Sequence, residues 1–320
     1  MESKLFEYFL RVAELGSINR AATDLRLSQP ALSRHIALLE HQIHAQLFTR
    51  TQGGVMLTEA GTLLLERVRP ILRQLTALVE QVGGRAAGQL SIGFPSAWQH
   101  LFTSKYVSRL VEQYPGVSLR VHEGASHELR EVMHAGMLDL AIVPFEGAPP
   151  NGYKHTPLIR EPVVLVATKD SQLRPDRPVP LSHLDKVKLA LPGKPNVIRT
   201  QIENALSRKQ LSFEIMFEID AMTLSMDLAR QGIAVTIIPC CAISDSERWE
   251  GEVSWAPIRG MYLTWALCQN SARSHSQAVQ EGQRLVFQMV DDIVASGSWI
   301  GAERVSKLTT TKAPAAVDEA

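Results

Sequence analysis

The stretch LSQPALSRHIALLEHQI, residues 27–43, sets a polar edge of Gln29, Ser33 and Arg34 beside an apolar stripe of Leu32, Ile36, Leu39 and Ile43. A side-chain amide can pair in bidentate fashion with adenine, and a guanidinium can reach guanine or a phosphate. Residue types of that kind, on the outward side of one short helix, are suited to reading nucleic acid. A second group lies where strands give way to helices: Pro95 to Ala97, Ser126 at the opening of a helix, and GKPNVIRT at 193–200. Helix N-termini beyond the carboxyl ends of parallel strands offer unpaired N–H groups. With serine hydroxyls there, and with Lys194 and Arg199 nearby, the expected ligand is a small carboxylate. An aromatic acid, a di- or tricarboxylate or an amino acid derivative would each fit; the bland alternative is serines that only cap and cations that only meet water.

Other constellations carry little chemistry. Cys240 and Cys241 are adjacent at the end of an apolar strand, where neighbours rarely pair with each other, so buried core is expected rather than a redox switch. The ten histidines show no short metal-ligand spacing. No phosphate-binding glycine loop and no serine, histidine and acid arrangement is legible, so neither a catalytic residue nor a cofactor is expected.

Elements must position these groups. Phe6, Phe9, Leu10 and Ala13 follow the spacing of a helix with one buried stripe, which Gly16 ends. Ser17 caps a second helix over Ile18 to Leu25, and Ser28 caps a third with Pro30 in its first turn, where a missing N–H costs nothing. The second helix supports the third, which is the geometry of a helix-turn-helix. Gly53 and Gly54 then divide LFTRTQGGVMLT into a hairpin, a wing with Arg50, Thr51 and Gln52 near its tip. Thr58 caps a long helix to about Val82, in which Leu57, Gly61, Leu64, Val68, Ile71, Leu75, Leu78 and Val82 recur as a heptad seam. That seam implies a partner helix, against the alternative of a helix packed on its own domain.

From residue 89 strands and helices alternate, giving a βαβαβ unit and then a second α/β unit beginning at VVLVAT. Short strands are expected at VSWAPI and LTWALC, followed by an amphipathic helix over about 275–295. Two subdomains joined by crossing strands would leave a cleft between them. The chain has 320 residues, 45% hydrophobic, and its apolar runs fall well short of a membrane span. Three cysteines and an N-terminus unlike a secretory signal suggest the cytoplasm. A formal net charge of zero gives no hint of a nucleic-acid partner, so local features must carry that reading.

The segment FLRVAELGSINRAATDLRLSQPALSRHIALLEHQIHAQLFTRTQGGVMLTEAG closely resembles the N-terminal domain of LysR-type transcriptional regulators. The order of head, long helix and two-part α/β region is similar to that family over nearly the whole chain. Its effector half is most similar to regulators of the nitrogen-assimilation and tricarballylate type. The resemblance implies an α/β chain with a winged helix-turn-helix at 1–58, a dimerisation linker helix and hinge at 59–87, and an effector domain at 88–300. That last domain would fold like type 2 periplasmic binding proteins, with subdomain I at about 88–162 and 268–300 and subdomain II at about 163–267. Residues 301–320, poor in apolar side chains, are expected to be a disordered tail.

The same resemblance places DNA contacts at Ser28, Gln29, Pro30, Ser33, Arg34 and Arg50. It places effector contacts at Ser96, Ser126, Pro195, Asn196 and Val197, with Met222 and Thr223 as further candidates. The implied partners are a double-stranded DNA operator, a second copy through the linker helix, a homotetramer and a small carboxylate effector, with room for an RNA polymerase contact. No metal, cofactor, membrane or enzymatic activity is implied. Rival readings are a solute-binding protein with an accessory head, an enzyme in the cleft, and a LysR-type DNA binder without any metabolite. Two departures stand out: His44 occupies a loop position where the family usually has glycine, and ARQGIAV lacks a second glycine often found near Gly232.

Overall fold

The computed structural model describes residues 3–51, 53–82, 88–244 and 248–305, with backbone alone at 70, 73, 74 and 76–82. The chain opens with α1 (Ser3–Leu15), α2 (Ile18–Asp24) and α3 (Gln29–Ile43), followed by a hairpin of β1 (Phe48–Thr51) and β2 (Gly54–Leu57). The Ser17 side chain accepts from the Arg20 N–H, and the Ser28 side chain accepts from the Ala31 N–H at 3.3 Å, so both caps form as their residue types dictate. Leu32, Ile36 and Leu39 turn inward against Ala21 and Ala22. In α1 the buried face differs from the expected stripe: Leu5, Phe9 and Val12 are buried, while Phe6, Leu10 and Ala13 lie at its margin. The helix meets α2, α3 and the following long helix at once, so its covered face is wider than one stripe.

Two glycines set the wing. Gly16 ends α1 at φ +60°, and the Val55 N–H donates to its carbonyl at 3.0 Å. A Cβ on Gly54 would stand 2.2 Å from that same carbonyl oxygen, so only glycine lets the hairpin lean on the α1–α2 turn. Gln52, expected near the tip, lies outside the described residues.

The linker helix is α4 (Glu59–Val82), and the Thr58 hydroxyl accepts from the Gly61 N–H at 3.0 Å as its cap. The heptad seam divides. Leu57 and Leu64 pack on the head's core, Gly61 sits so close to Leu47 that a Cβ would meet its carbonyl oxygen at 2.1 Å, and Val68 is 3% exposed. Ile71 and Leu75 are 57% and 43% exposed, so the seam is open in the monomer at these two positions. The side chains of Leu78 and Val82 lie outside the described residues. The seven-residue period thus serves two surfaces, because the helix both roots the head and extends beyond it.

The remaining elements are β3 (Gln89–Pro95), α5 (Ser104–Gln113), β4 (Ser118–Gly124), α6 (Ser126–His134), β5 (Leu140–Pro144), β6 (Tyr153–Thr168), β7 (Lys188–Leu191), α7 (Val197–Arg208), β8 (Glu214–Glu218), α8 (Met222–Arg230), β9 (Val235–Pro239), β10 (Val253–Asn270), α9 (Gln277–Ala295) and β11 (Glu303–Arg304). They form one sheet in the order β4-β3-β5-β10-β6-β9-β7-β8, with β11 on β6. Strands β3, β4 and β5 pair in parallel, as do β7, β8 and β9, and the antiparallel β6 and β10 run through both groups.

Three expectations change here. The short strands expected at VSWAPI and LTWALC are one 18-residue strand, β10, whose register against β6 shifts between Pro257 and Tyr262. Strand β6 starts at Tyr153, well before the apolar run VVLVAT, because its first half alternates charged and apolar residues around Pro157 and Pro162. Residues 301–305, expected within a disordered tail, are ordered, and β11 pairs Glu303 with Arg160; residues 306–320 lie outside the described residues. Along β10, Val253 to Pro257 pair with β6, and Trp265 to Gln269 pair with β5 as well.

Candidate functional site

The head presents a polar face at the N-terminal end of α3. Ser28, Gln29, Pro30 and Arg34 are exposed and Ser33 is half-buried, while the opposite face is core. The Gln29 amide donates to the Ser33 hydroxyl at 3.1 Å, and the Arg34 guanidinium donates to the Pro30 carbonyl at 3.3 Å. Neither Arg34 nor the exposed Arg50 on β1 takes part in an ion pair among the described residues, so neither cation is neutralised. The arginines that are neutralised in the head lie elsewhere. Arg11 pairs with Glu14 at 3.0 Å and with Asp24 at 2.6 Å, and Arg69 of α4 pairs with Glu14 at 3.2 Å. The Arg11 guanidinium holds the Asp24 carboxyl below its usual range.

Between the two halves of the sheet lies a cavity of about 270 Å³. Subdomain I supplies Pro95, Ser96, Ala97 and residues 124–128, and subdomain II supplies Pro192, residues 196–198, Ile219, Asp220, Met222 and Ser225. Its floor is Thr236 to Pro239 of β9 with Leu263 and Trp265 of β10. Of the expected contacts, Ser96, Ser126, Asn196, Val197 and Met222 come together on this wall, while Pro195 and Thr223 adjoin it without lining it. The structure parts from the sequence reading over the cations. The Lys194 ammonium pairs with Glu203 at 2.8 Å, and the Arg199 guanidinium, 5% exposed, is held by Glu203, Glu218 and the Pro192 carbonyl. Those two cations pull the Glu203 carboxyl below its usual range, Lys194 first. Neither lines the cavity: Arg199 turns to Glu203 at i+4 along α7, and Lys194, which precedes the helix, reaches the same acid.

The helix N-termini differ as well. The Asn196 side chain accepts from the N–H groups of Ile198 and Arg199, which satisfies most of the first turn of α7. The N-cap residues of α6 and α8 are Ala125 and Ala221, neither of which has a side-chain acceptor. First-turn N–H groups there have no intrahelical partner. The least capped of these ends is thus that of α8, since at α6 the Glu128 carboxylate already accepts from the Ala125 N–H at 2.7 Å.

Directly behind the floor is Glu161, fully buried on β6 beside the crossover at Pro162. Its carboxylate accepts from the indole N–H groups of Trp265 and Trp299, the latter at 2.8 Å, and from the Cys241 backbone N–H at 2.6 Å. Three donors from three segments converge on one acid, which has no ion-pair partner among the described residues. Burial pushes its proton affinity up, and the three hydrogen bonds only partly offset that. Trp98 stacks edge-on against both indoles, with ring centroids 5.6 Å and 4.8 Å away. Sequence reasoning missed Glu161; the one signal was an acid set between Ile159 and a valine-rich run.

The cysteines are all buried and unpaired. Burial pushes the Cys240 thiol up to about 12 and that of Cys268 up to about 11, and Cys241 rises too, with Glu161 beside it. Thiolates are the reactive form, so these three behave as core. Among the described residues no group of histidine, cysteine and acid could hold a metal ion. No helix among them is long and apolar enough to cross a membrane.

Two family models match the chain: the bacterial regulatory helix-turn-helix protein, lysR family, over residues 3–62, and the LysR substrate binding domain over residues 83–286. Among curated relatives, the nitrogen assimilation regulatory protein nac of Klebsiella aerogenes is 30% identical over 290 residues, covering 88% of this chain and 93% of its own length. The transcriptional regulator BbuR of Bordetella bronchiseptica is 28% identical over 94% of each chain. Among solved structures, a full-length OxyR variant from Pseudomonas aeruginosa superposes with a TM-score of 0.73 at 20% identity, covering 91% of this chain and 94% of that one. Full-length CbnR in complex with its target DNA gives 0.52 at 20% identity, covering 91% and 100%. At those identities the structural likeness speaks for the fold.

Proposed function

The chain belongs to the LysR family of transcriptional regulators, with a helix-turn-helix head and an effector-binding domain, and from that premise we propose how its two sites are used. The head reads a two-fold symmetric DNA operator. Gln29 and Arg34 contact base edges in the major groove, while Ser28, Ser33 and the wing residue Arg50 contact phosphates and set the register. Pro30 fixes the first turn that aims these side chains. The observation that carries this reading is the exposed face of Gln29 and Arg34 together with the exposed Arg50 of the wing, both arginines being without an ion pair among the described residues, whereas Arg11 and Arg69 are ion-paired. With few cations per head, affinity requires two or more heads on one DNA. The stretch of α4 that carries the exposed Ile71 and Leu75 supplies the dimer contact, and two dimers form a tetramer.

In the effector domain, a small carboxylate enters the cleft and contacts Ser96, Ser126 and the N-terminal turn of α8, with Asn196 and Val197 opposite. Closure of the cleft about the β6 and β10 crossovers then favours one arrangement of the dimers over another, which is what a coupled regulator requires. This function needs no cofactor and no catalytic step, and it operates in the cytoplasm. Fluorescence anisotropy on DNA upstream of the gene tests the head. Arg34→Ala should abolish specific binding, and Gln29→Ala should relax one base position by roughly 1 to 3 kcal/mol while sparing non-specific binding. Unchanged sequence preference in both variants would overturn the assignment.

A further inference from the structure

The cleft's donors and acceptors are unequally spread, and the imbalance speaks to the ligand. Among the described residues, the titratable side chains on the cavity wall are His127, Glu128 and Asp220; no lysine or arginine lines it. One oxygen of each acid is already committed to its own wall. Glu128 accepts from the Ala125 N–H at 2.7 Å, and Asp220 accepts from the Gly193 N–H at 3.0 Å. That leaves the second carboxylate oxygen of each, one from either subdomain.

The floor tells the same story independently of the acids. Ser225 and Thr236 line the cavity at 4% and 1% exposure. Their hydroxyls spend their single protons on the carbonyls of Met222 and Ala190, at 2.8 Å and 2.9 Å. A hydroxyl whose proton is committed can only accept. Four side chains on the wall therefore offer acceptor positions, those of Glu128 and Asp220 exposed in the open cleft and those of Ser225 and Thr236 buried, while the N-terminal turns of α6 and α8 offer donors for one anionic group. A ligand with a carboxylate alone would leave the acceptors unmatched, and unmatched polar groups in a closing site are costly.

We infer that the ligand carries an ammonium group beside its carboxylate, as a 2-amino acid or a close derivative does, and that Asp220 and Glu128 receive the ammonium. This inference rests on the effector reading of the cleft and narrows it. The carboxylate meets the N–H groups opening α6 and α8, and the ammonium bridges the two subdomains, so closure and charge recognition are one event.

The test is isothermal calorimetry and thermal shift on the full-length protein with three series of probes: the twenty common amino acids, their desamino analogues, and simple di- and tricarboxylates. At least one amino acid should bind, with its desamino analogue weaker by about ten-fold or more, the size expected for a charged hydrogen bond. Asp220→Asn and Glu128→Gln keep an oxygen for the Gly193 and Ala125 N–H groups while removing the charge. Each should weaken the amino acid and leave the desamino acid unchanged, with retained DNA binding showing that both variants fold. Binding of desamino acids or polycarboxylates as tight as that of any amino acid, or indifference to both substitutions, overturns the ammonium assignment and leaves the effector reading standing. Silence in all three series overturns both.

Discussion

At the scale of single residues, Glu161 holds together more of the effector domain than any side chain the sequence pointed to. It draws the β10 indole that floors the cavity, the backbone after β9 and the indole after α9 onto one carboxylate. Replacing it by alanine removes those bonds, orphans three buried donors and opens a cavity, so the domain should lose roughly 3 to 5 kcal/mol in denaturant unfolding. Its pH dependence has a definite sign. Burial raises its proton affinity in the folded state above that of the unfolded chain, so its stabilising share is full below the unfolded value, near 4.5. That share declines as pH rises through the raised folded value, while the thiols of Cys240 and Cys241, pushed upward, stay neutral. The stability of the wild type relative to Glu161→Gln should therefore be greater at the acid end of this window than at neutral pH; a difference that grows with pH would contradict this account of the carboxyl. Such a residue is hard to read from sequence because its partners are far along the chain. The outward residues of α3 were legible, since a cap, an early proline and a three-to-four spacing fix which side chains face away. Lys194 and Arg199 were misread as cleft cations because spacing does not reveal that Glu203 neutralises both.

Elements with strong local signals were the most legible. The three head helices, the wing, and the alternation after residue 89 follow from caps, glycines and period. Strand β6 was half missed because its prolines and charges hide a strand whose pairing is supplied by β10 and β11. His44 is a case where the departure from glycine has a physical consequence. It closes α3 at φ 57°, a left-handed conformation that disfavours side chains with a Cβ. His44→Gly should stabilise the head by about 0.5 to 1 kcal/mol, the relief of strain exceeding the added freedom of the unfolded chain; thermal melting of the full chain would register it, and a lower melting temperature would refute it. On α4, Ile71 and Leu75 remain uncovered where Leu64 and Val68 are not. A charge there should break self-association, so Leu75→Glu is expected to weaken the dimer at least ~ten-fold, or ~1.4 kcal/mol, in sedimentation equilibrium. An unchanged association constant would move the interface elsewhere.

For the whole molecule, the architecture separates reading from sensing and joins them through one helix. The head is rooted on the first half of α4, β6 and β10 run between the two halves of the effector domain, and the cavity lies between those halves. A ligand that prefers the closed cleft can then bias how paired heads are spaced on DNA, without touching the head. Residues 1–58 carry six lysines and arginines against five acids, so the proposed reading calls for more than one head on the DNA. The most direct measurement is footprinting of the full-length protein on DNA upstream of its own gene across a salt series. A protected site with two-fold symmetry, weakening steeply with salt and lost in Arg34→Ala, is the predicted result. An unprotected DNA at low salt, or a single half-site bound as tightly by an isolated head as by the full chain, would contradict it.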